Sequence, residues 1–191
     1  MSPAPPRAVV IGASAGAIQA LSVILPELPA DLPVPVLIVV HVPTDRSNIL
    51  APLFQARCRM KVQEAEDKEP ALPGVIYFAP PGYHLLVEAD GSLSLSTDEP
   101  VLYSRPSIDV LFESAAESFG DALVGIILTG ANMDGANGLQ AICSAGGTAL
   151  IEEPETAYAD TMPLAAIAAC PAARVLTLEG IADYLMKDIA A

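Results

Sequence analysis

Apolar residues in this chain fall in short unbroken runs as often as in alternation. Ala8-Val9-Val10-Ile11, Val34 to Val40 and Leu123 to Leu128 are almost wholly apolar and rich in β-branched side chains. Runs of that kind suit strands covered on both faces, which points to a parallel sheet between layers of helices. Thr148 to Ile151 continues the series, and Val175-Leu176 is a shorter candidate. Helical spacing fills the intervals: Ala17 to about Leu25, Ser107 to about Phe119, Ala136 to about Ser144, Met162 to Ala169 and Ile181 to Ile189. Pro26 and Pro29 close the first of these, and Gly146-Gly147 the third. Ser107 suits an N-cap, with residues 108, 111 and 112 on one face behind it. Asp45-Arg46-Ser47 offers caps for a further helix to about Arg57, which Pro52 fits only in its first turn.

The middle third has another texture. Glu64-Ala65-Glu66-Asp67-Lys68-Glu69 is a charged, solvated stretch. Gly74 to Ala79, His84 to Glu88 and Leu93 to Ser96 are short strand candidates, the last two flanking Asp90-Gly91. Alternation around Asp-Gly signals a hairpin. The expectation is an antiparallel addition to one edge of the sheet. The whole is therefore expected to be α/β, doubly wound and mostly parallel, with helices on both faces and an antiparallel edge hairpin. With 191 residues and no linker or repeat, it reads as one domain over residues 1–191.

Charge narrows the partners. Nine Lys and Arg stand against 23 Asp and Glu, a formal net charge of −14. Such a surface repels nucleic acid and anionic lipid. No apolar run reaches the roughly 20 residues of a membrane span, and the Pro-rich start Met1-Ser2-Pro3-Ala4-Pro5-Pro6 is unlike a signal peptide. Cys58, Cys143 and Cys170 are odd in number, widely spaced and without a C-x-x-C pair. Neither a metal site nor a disulfide is expected of them, and a reducing cytoplasm is the expected setting.

Three stretches carry candidate chemistry. Gly12-Ala13-Ser14-Ala15-Gly16 joins the first strand to the first helix and fits G-x-S-x-G, a turn that exposes a nucleophilic serine. The same turn could cradle a phosphate at a helix N-terminus, although no G-x-G-x-x-G and no following lysine support it. His41 ends the second strand, and Asp134 follows the strand 123–128 in the loop 129–135. In a parallel sheet all three emerge at the carboxyl edge, where ligands of open α/β sheets bind. Each has a plainer reading: His41 as a strand-end residue, Asp134 as a helix N-cap. His84, the other histidine, starts a hairpin strand and reads as surface or structural. The loop 129–135 also offers backbone N–H groups of the kind that hold an oxyanion.

Taken together, Ile11 to Ser14, His41-Val42-Pro43, Ser104 to Phe112 and Leu128 to Ala136 resemble the catalytic domain of the bacterial chemotaxis protein-glutamate methylesterases, the CheB type. Glu64 to Asp67 and Phe78 to Gly82 fit as well. The resemblance implies a serine hydrolase that removes methyl esters from glutamate side chains of chemoreceptors, and deamidates glutamine, with no cofactor. It implies Ser14 as nucleophile, His41 as base, Asp134 as its orienter, and the N–H groups of Ala131 and Ala15 as oxyanion donors. The implied partners are a methylated chemoreceptor and a phosphorylation-controlled regulator in another chain or segment, since no receiver domain is read in this one. Ala15, Ala17 and Ala131 depart from the residues usual in the family, which leaves a degenerate binding homologue as one alternative. A small-molecule esterase is another, but the α/β-hydrolase plan runs Ser, Asp/Glu, His, and here the order is Ser, His, Asp.

Overall fold

The computed structural model describes residues 7–42 and 49–191. The apolar runs become the centre of one parallel sheet. β1 (Ala8–Ala13) lies between β2 (Val36–Val40) and β7 (Leu123–Ile127), with Ala13 beside Val40 and Gly12 beside Ile127. Every residue of these three strands is buried. The sheet extends to β3 (Lys61–Glu64) and β4 (Val75–Phe78) on one side, and to β8 (Thr148–Glu152) and β9 (Arg174–Leu176) on the other. Its order is β3-β4-β2-β1-β7-β8-β9, and every pairing is parallel.

Alternate residues of each strand face opposite layers. One layer packs α1 (Ala17–Ile24), α2 (Leu50–Gln55) and α6 (Leu178–Tyr184) against Val9, Ile11, Ile38 and Ile126. The other packs α3 (Ile108–Phe119), α4 (Ala136–Ser144) and α5 (Thr161–Ala169) against Val10, Leu37, Val39 and Ile127. These two cores make the doubly wound α/β architecture expected from the runs.

The middle third differs in its pairing. The hairpin around Asp90-Gly91 is present as β5 (His84–Val87) and β6 (Leu93–Ser96), antiparallel. It forms a two-stranded sheet of its own and does not extend an edge. Its inward side chains Leu85, Val87 and Leu93 join the α3 layer of the core. The segment around Val75–Phe78 instead enters the main sheet beside β2, parallel to it. Four buried residues, Val-Ile-Tyr-Phe, explain that placement, since a strand covered on both faces belongs inside a sheet.

Pro52 stands in the first turn of α2. The expected caps Asp45, Arg46 and Ser47 lie outside the described residues. Among the described residues no helix is long and apolar enough to cross a membrane.

The cysteine expectation is corrected. Cys143 in the last turn of α4 and Cys170 at the end of α5 form a disulfide across 27 residues of sequence, and Cys58 is free. α4 and α5 flank β8 on the same face, so their ends meet in space although no spacing motif joins them. With two of the three cysteines paired, cysteine usage does not point to a reducing compartment.

Candidate active site

The bend after β1 is built by absence of side chains. Gly16 sits at φ 87°, a left-handed conformation that glycine adopts without steric cost. A Cβ there would lie 2.6 Å from Cβ of Tyr158. A Cβ on Gly12 would collide with Cγ2 of Ile108, so α3 rests directly on the strand that leads to the serine. The Ser14 N–H donates to the Thr129 carbonyl at 2.9 Å, and the Ala17 N–H closes the turn on the Ser14 carbonyl at 2.9 Å. The N–H of His41 donates to the Ala13 carbonyl at 3.2 Å. Parallel register thus sets the serine and the histidine side by side, one residue beyond the ends of adjacent strands. Both line a cavity of about 180 Å³ together with Gly16, Ile18, Val42 and Leu50.

Behind the imidazole stands Asp134, fully buried. His41 Nε2 lies 2.7 Å from its Oδ2. The carboxylate also accepts the N–H of Ile108 at 2.7 Å, the N–H of Asp109 at 3.0 Å and the Ser107 hydroxyl at 3.0 Å. Two of those donors are the first free N–H groups of α3, where a helix favours negative charge. Burial pushes the carboxyl pKa up. The His41 hydrogen bond and the N–H groups of Asp109 and Ile108 outweigh it and hold the group below its ordinary value. Asp134 is therefore charged and aimed at the imidazole.

The plainer reading of Asp134 as an N-cap is also met, with an unexpected address. It caps α3 and not the helix that follows it. Ser107 occupies the N-cap position of α3, but its own hydroxyl turns to Asp134. The start of α4 is served in return by Asp109, whose Oδ1 accepts the N–H of Gly135 at 2.9 Å and of Gly138 at 2.7 Å. Burial raises the Asp109 pKa to about 6, against those two N–H groups, with the Asp134 charge pushing the same way as burial.

The loop 129–135 is fixed from several sides. The Thr129 N–H donates to Glu152 Oε2 at 2.7 Å, and burial raises the pKa of that carboxyl despite the bond. The Thr129 hydroxyl donates to the Ala15 carbonyl at 2.9 Å and accepts the Ala159 N–H at 2.8 Å, tying the loop to the serine turn. Among the described residues, the N–H groups of Ala15 and Ala131 find no hydrogen-bond partner in the protein. Asn132 reaches the imidazole from its other side, with Nδ2 at 3.0 Å from His41 Nδ1.

Ser14, His41 and Asp134 are thus gathered at the carboxyl edge. His84 is not among them: it is buried, with Nδ1 accepting the Ser107 N–H at 3.2 Å and Nε2 at 3.0 Å from the Glu99 carbonyl. It is structural. Sequence reasoning passed over Asn132, Asp109 and Glu152, and read Ser107 as a helix N-cap without its bond to Asp134. Asp109 in the run Ser107 to Phe112 and Asn132 between Gly130 and Asp134 were visible as polar residues beside motifs, but nothing local marks their partners.

A parallel α/β sheet presenting a hydroxyl, an imidazole and a buried carboxylate at one edge has the layout of a serine hydrolase. The sequence profile of the CheB methylesterases matches residues 9–185, and the chain belongs to that family. It is 47% identical over 181 residues to a Leptospira interrogans protein provisionally named protein-glutamate methylesterase/protein-glutamine glutaminase, covering 95% of this chain and 94% of that one. It is 39% identical to the protein-glutamate methylesterase/protein-glutamine glutaminase of Symbiobacterium thermophilum, covering 97% of this chain and 51% of that one. The chain therefore spans about half the length of that relative. The CheB methylesterase catalytic domain of Thermotoga maritima superposes with a TM-score of 0.91 at 33% identity, over 96% of this chain and 99% of the other.

Proposed function

We propose that the protein is a serine hydrolase that removes methyl esters from glutamate side chains of chemoreceptors, with Ser14, His41 and Asp134 as its triad. The observation that carries this reading is the buried, charged Asp134 bonded to an imidazole that shares a cavity with Ser14. Without such a base a serine hydroxyl is a weak nucleophile.

The ester carbonyl is attacked by Ser14 Oγ while its proton passes to His41 Nδ1, the nitrogen turned away from Asp134. Asp134 keeps the ring oriented and stabilises the imidazolium. The N–H groups of Ala131 and Ala15, without a partner among the described residues, receive the oxyanion, each worth roughly 3–4 kcal/mol by analogy with other hydrolases. Collapse expels the methoxy group, which takes the proton from His41 and leaves as methanol. Water, deprotonated by the same histidine, then cleaves the acyl-serine to a glutamate carboxylate. The same cycle on a primary amide releases ammonia, which is the glutaminase activity in the relatives' names. Ala131 keeps the backbone donor whatever its side chain, so its small size bears on the substrate wall and not on the oxyanion. A phosphorylation-controlled receiver, in another chain or segment, is the regulator this reading carries with it.

The test is methanol release from methylated chemoreceptor. Ser14→Ala is expected to abolish it while leaving the thermal unfolding of the protein unchanged. Release at the parent rate by that variant would sink the assignment.

A further inference from the structure

The side chain of Asn132 has two fixed partners. Its Oδ1 accepts the N–H of Asp134 at 3.0 Å, and its Nδ2 lies 3.0 Å from His41 Nδ1. The first contact settles the second. An N–H can donate only to the amide oxygen, so the amide nitrogen must be the atom turned to the imidazole. That nitrogen carries only donors, so Nδ1 must be the acceptor and the ring proton must sit on Nε2, where Asp134 receives it. Asn132 and Asp134 thus grip the ring from opposite sides, and Asn132 is itself tied to the backbone of Asp134.

We infer that Asn132 is a positioning residue for the proposed hydrolysis: its amide holds His41 in the one tautomer whose lone pair lies on Nδ1, where it can take the Ser14 proton. The lone pair serves one donor at a time. In the resting protein the Asn132 amide occupies it, and the Ser14 hydroxyl replaces the amide when the ester is attacked. A single carboxylate at Nε2 leaves the ring free to rock about that bond. A second contact on the far nitrogen removes this freedom in the resting protein, so the ring is already oriented when the hydroxyl takes over the lone pair. Asn132 touches neither the ester nor the transferred proton in this scheme. It acts through His41.

The inference rests on the hydrolase reading, and two measurements separate the two. The first is 15N NMR of the imidazoles in resting protein. With only His41 and His84 in the chain, the signals are assigned by one His84 variant. The second is the rate of covalent labelling of Ser14 by a fluorophosphonate, resolved into its saturating rate and its half-saturating concentration. The decisive variant is Asn132→Asp. It keeps the oxygen that accepts the Asp134 N–H, so the local turn survives, but it cannot donate to Nδ1. Asn132→Ala removes both contacts.

In the parent protein His41 should show the pure Nε2–H form. In Asn132→Asp its nitrogen shifts should move toward a protonated Nδ1, and in Asn132→Ala toward a mixture. Asn132→Asp should lower the saturating rate about tenfold or more, as the share of His41 in the tautomer with an accepting Nδ1 falls by about that factor, and Asn132→Ala should lower it less, both with little change in half-saturation. Parent-like shifts and parent-like rates in Asn132→Asp would overturn the inference and reduce Asn132 to a turn former. A faster saturating rate would overturn it too, by making the amide a mere obstruction. Failure of the parent protein to label at all would overturn the hydrolase reading, and the NMR shifts would then still decide whether Asn132 sets the tautomer.

Discussion

Two buried aspartates stand at the starts of two packed helices, each supplied by the other's segment. Asp134, one residue before the α4 cap, serves the first N–H groups of α3, and Asp109, on α3, serves those of α4. Exposure is 0% for one and 3% for the other. The mechanical task is the same, yet the charge states diverge. Burial acts to raise both carboxyl pKa values, but Asp134 ends below its ordinary value and Asp109 rises to about 6. The difference lies in the imidazole. Asp134 has His41 as an additional hydrogen-bond donor, whereas Asp109 has two N–H groups and a neighbouring negative charge. A helix N-terminus alone does not keep a buried carboxylate ionised here; the added hydrogen bond from the imidazole does. The pair shows how one capping geometry yields a committed anion in one place and a proton-sensitive group 25 residues away in sequence.

Replacing Asp134 should break this contrast most severely. Asp134→Asn is expected to lower ester turnover by about 10⁴-fold, because the amide can present a donor to Nε2 and favour the wrong tautomer. Steady-state methanol release measures it, and a loss below tenfold would contradict the role. Asp109→Asn should leave turnover within a few-fold and alter stability instead. A folded pKa of about 6 lies above the unfolded value of 3.8, so folded protein binds more protons between those values. The parent should therefore lose stability as pH rises from about 4 to 6 and stay at the lower level above that, by on the order of 3 kcal/mol from this group. The asparagine keeps an oxygen for Gly135 and Gly138 and carries no charge. Denaturant unfolding at pH 5 and pH 8 should show the variant gaining on the parent at the higher pH; equal differences at both would contradict the assignment. The smallest effect is Ser107→Ala, which removes a single neutral donor from Asp134. It should cost about 1 kcal/mol of stability and a few-fold in turnover, read from the same two assays.

Legibility in the sequence followed the range of the interaction. Val34 to Val40 and Leu123 to Leu128 announced central strands because burial on both faces is written locally, in unbroken apolar side chains. From parallel strands the gathering of Ser14, His41 and Asp134 at one edge was deducible, since each follows a strand end. The hairpin at Asp90-Gly91 was legible from its turn, but not its separation from the sheet, which depends on α3 covering Leu85 and Val87. The reciprocal capping, the Asn132 contact and the Cys143–Cys170 disulfide have no local signature. They arise only once α3, α4 and α5 are laid side by side.

Ile108 gives the arrangement a further consequence. Its side chain fills the space that a Cβ on Gly12 would need, and also the space beside Gly135, while its N–H holds Asp134. One isoleucine is thus wedged between the strand leading to Ser14 and the loop carrying Asp134. It works as a spacer bar, with the two glycines as its seats. The span between the Ser14 turn and the Asp134 loop is therefore set by the girth of a residue that reaches neither side chain with its own.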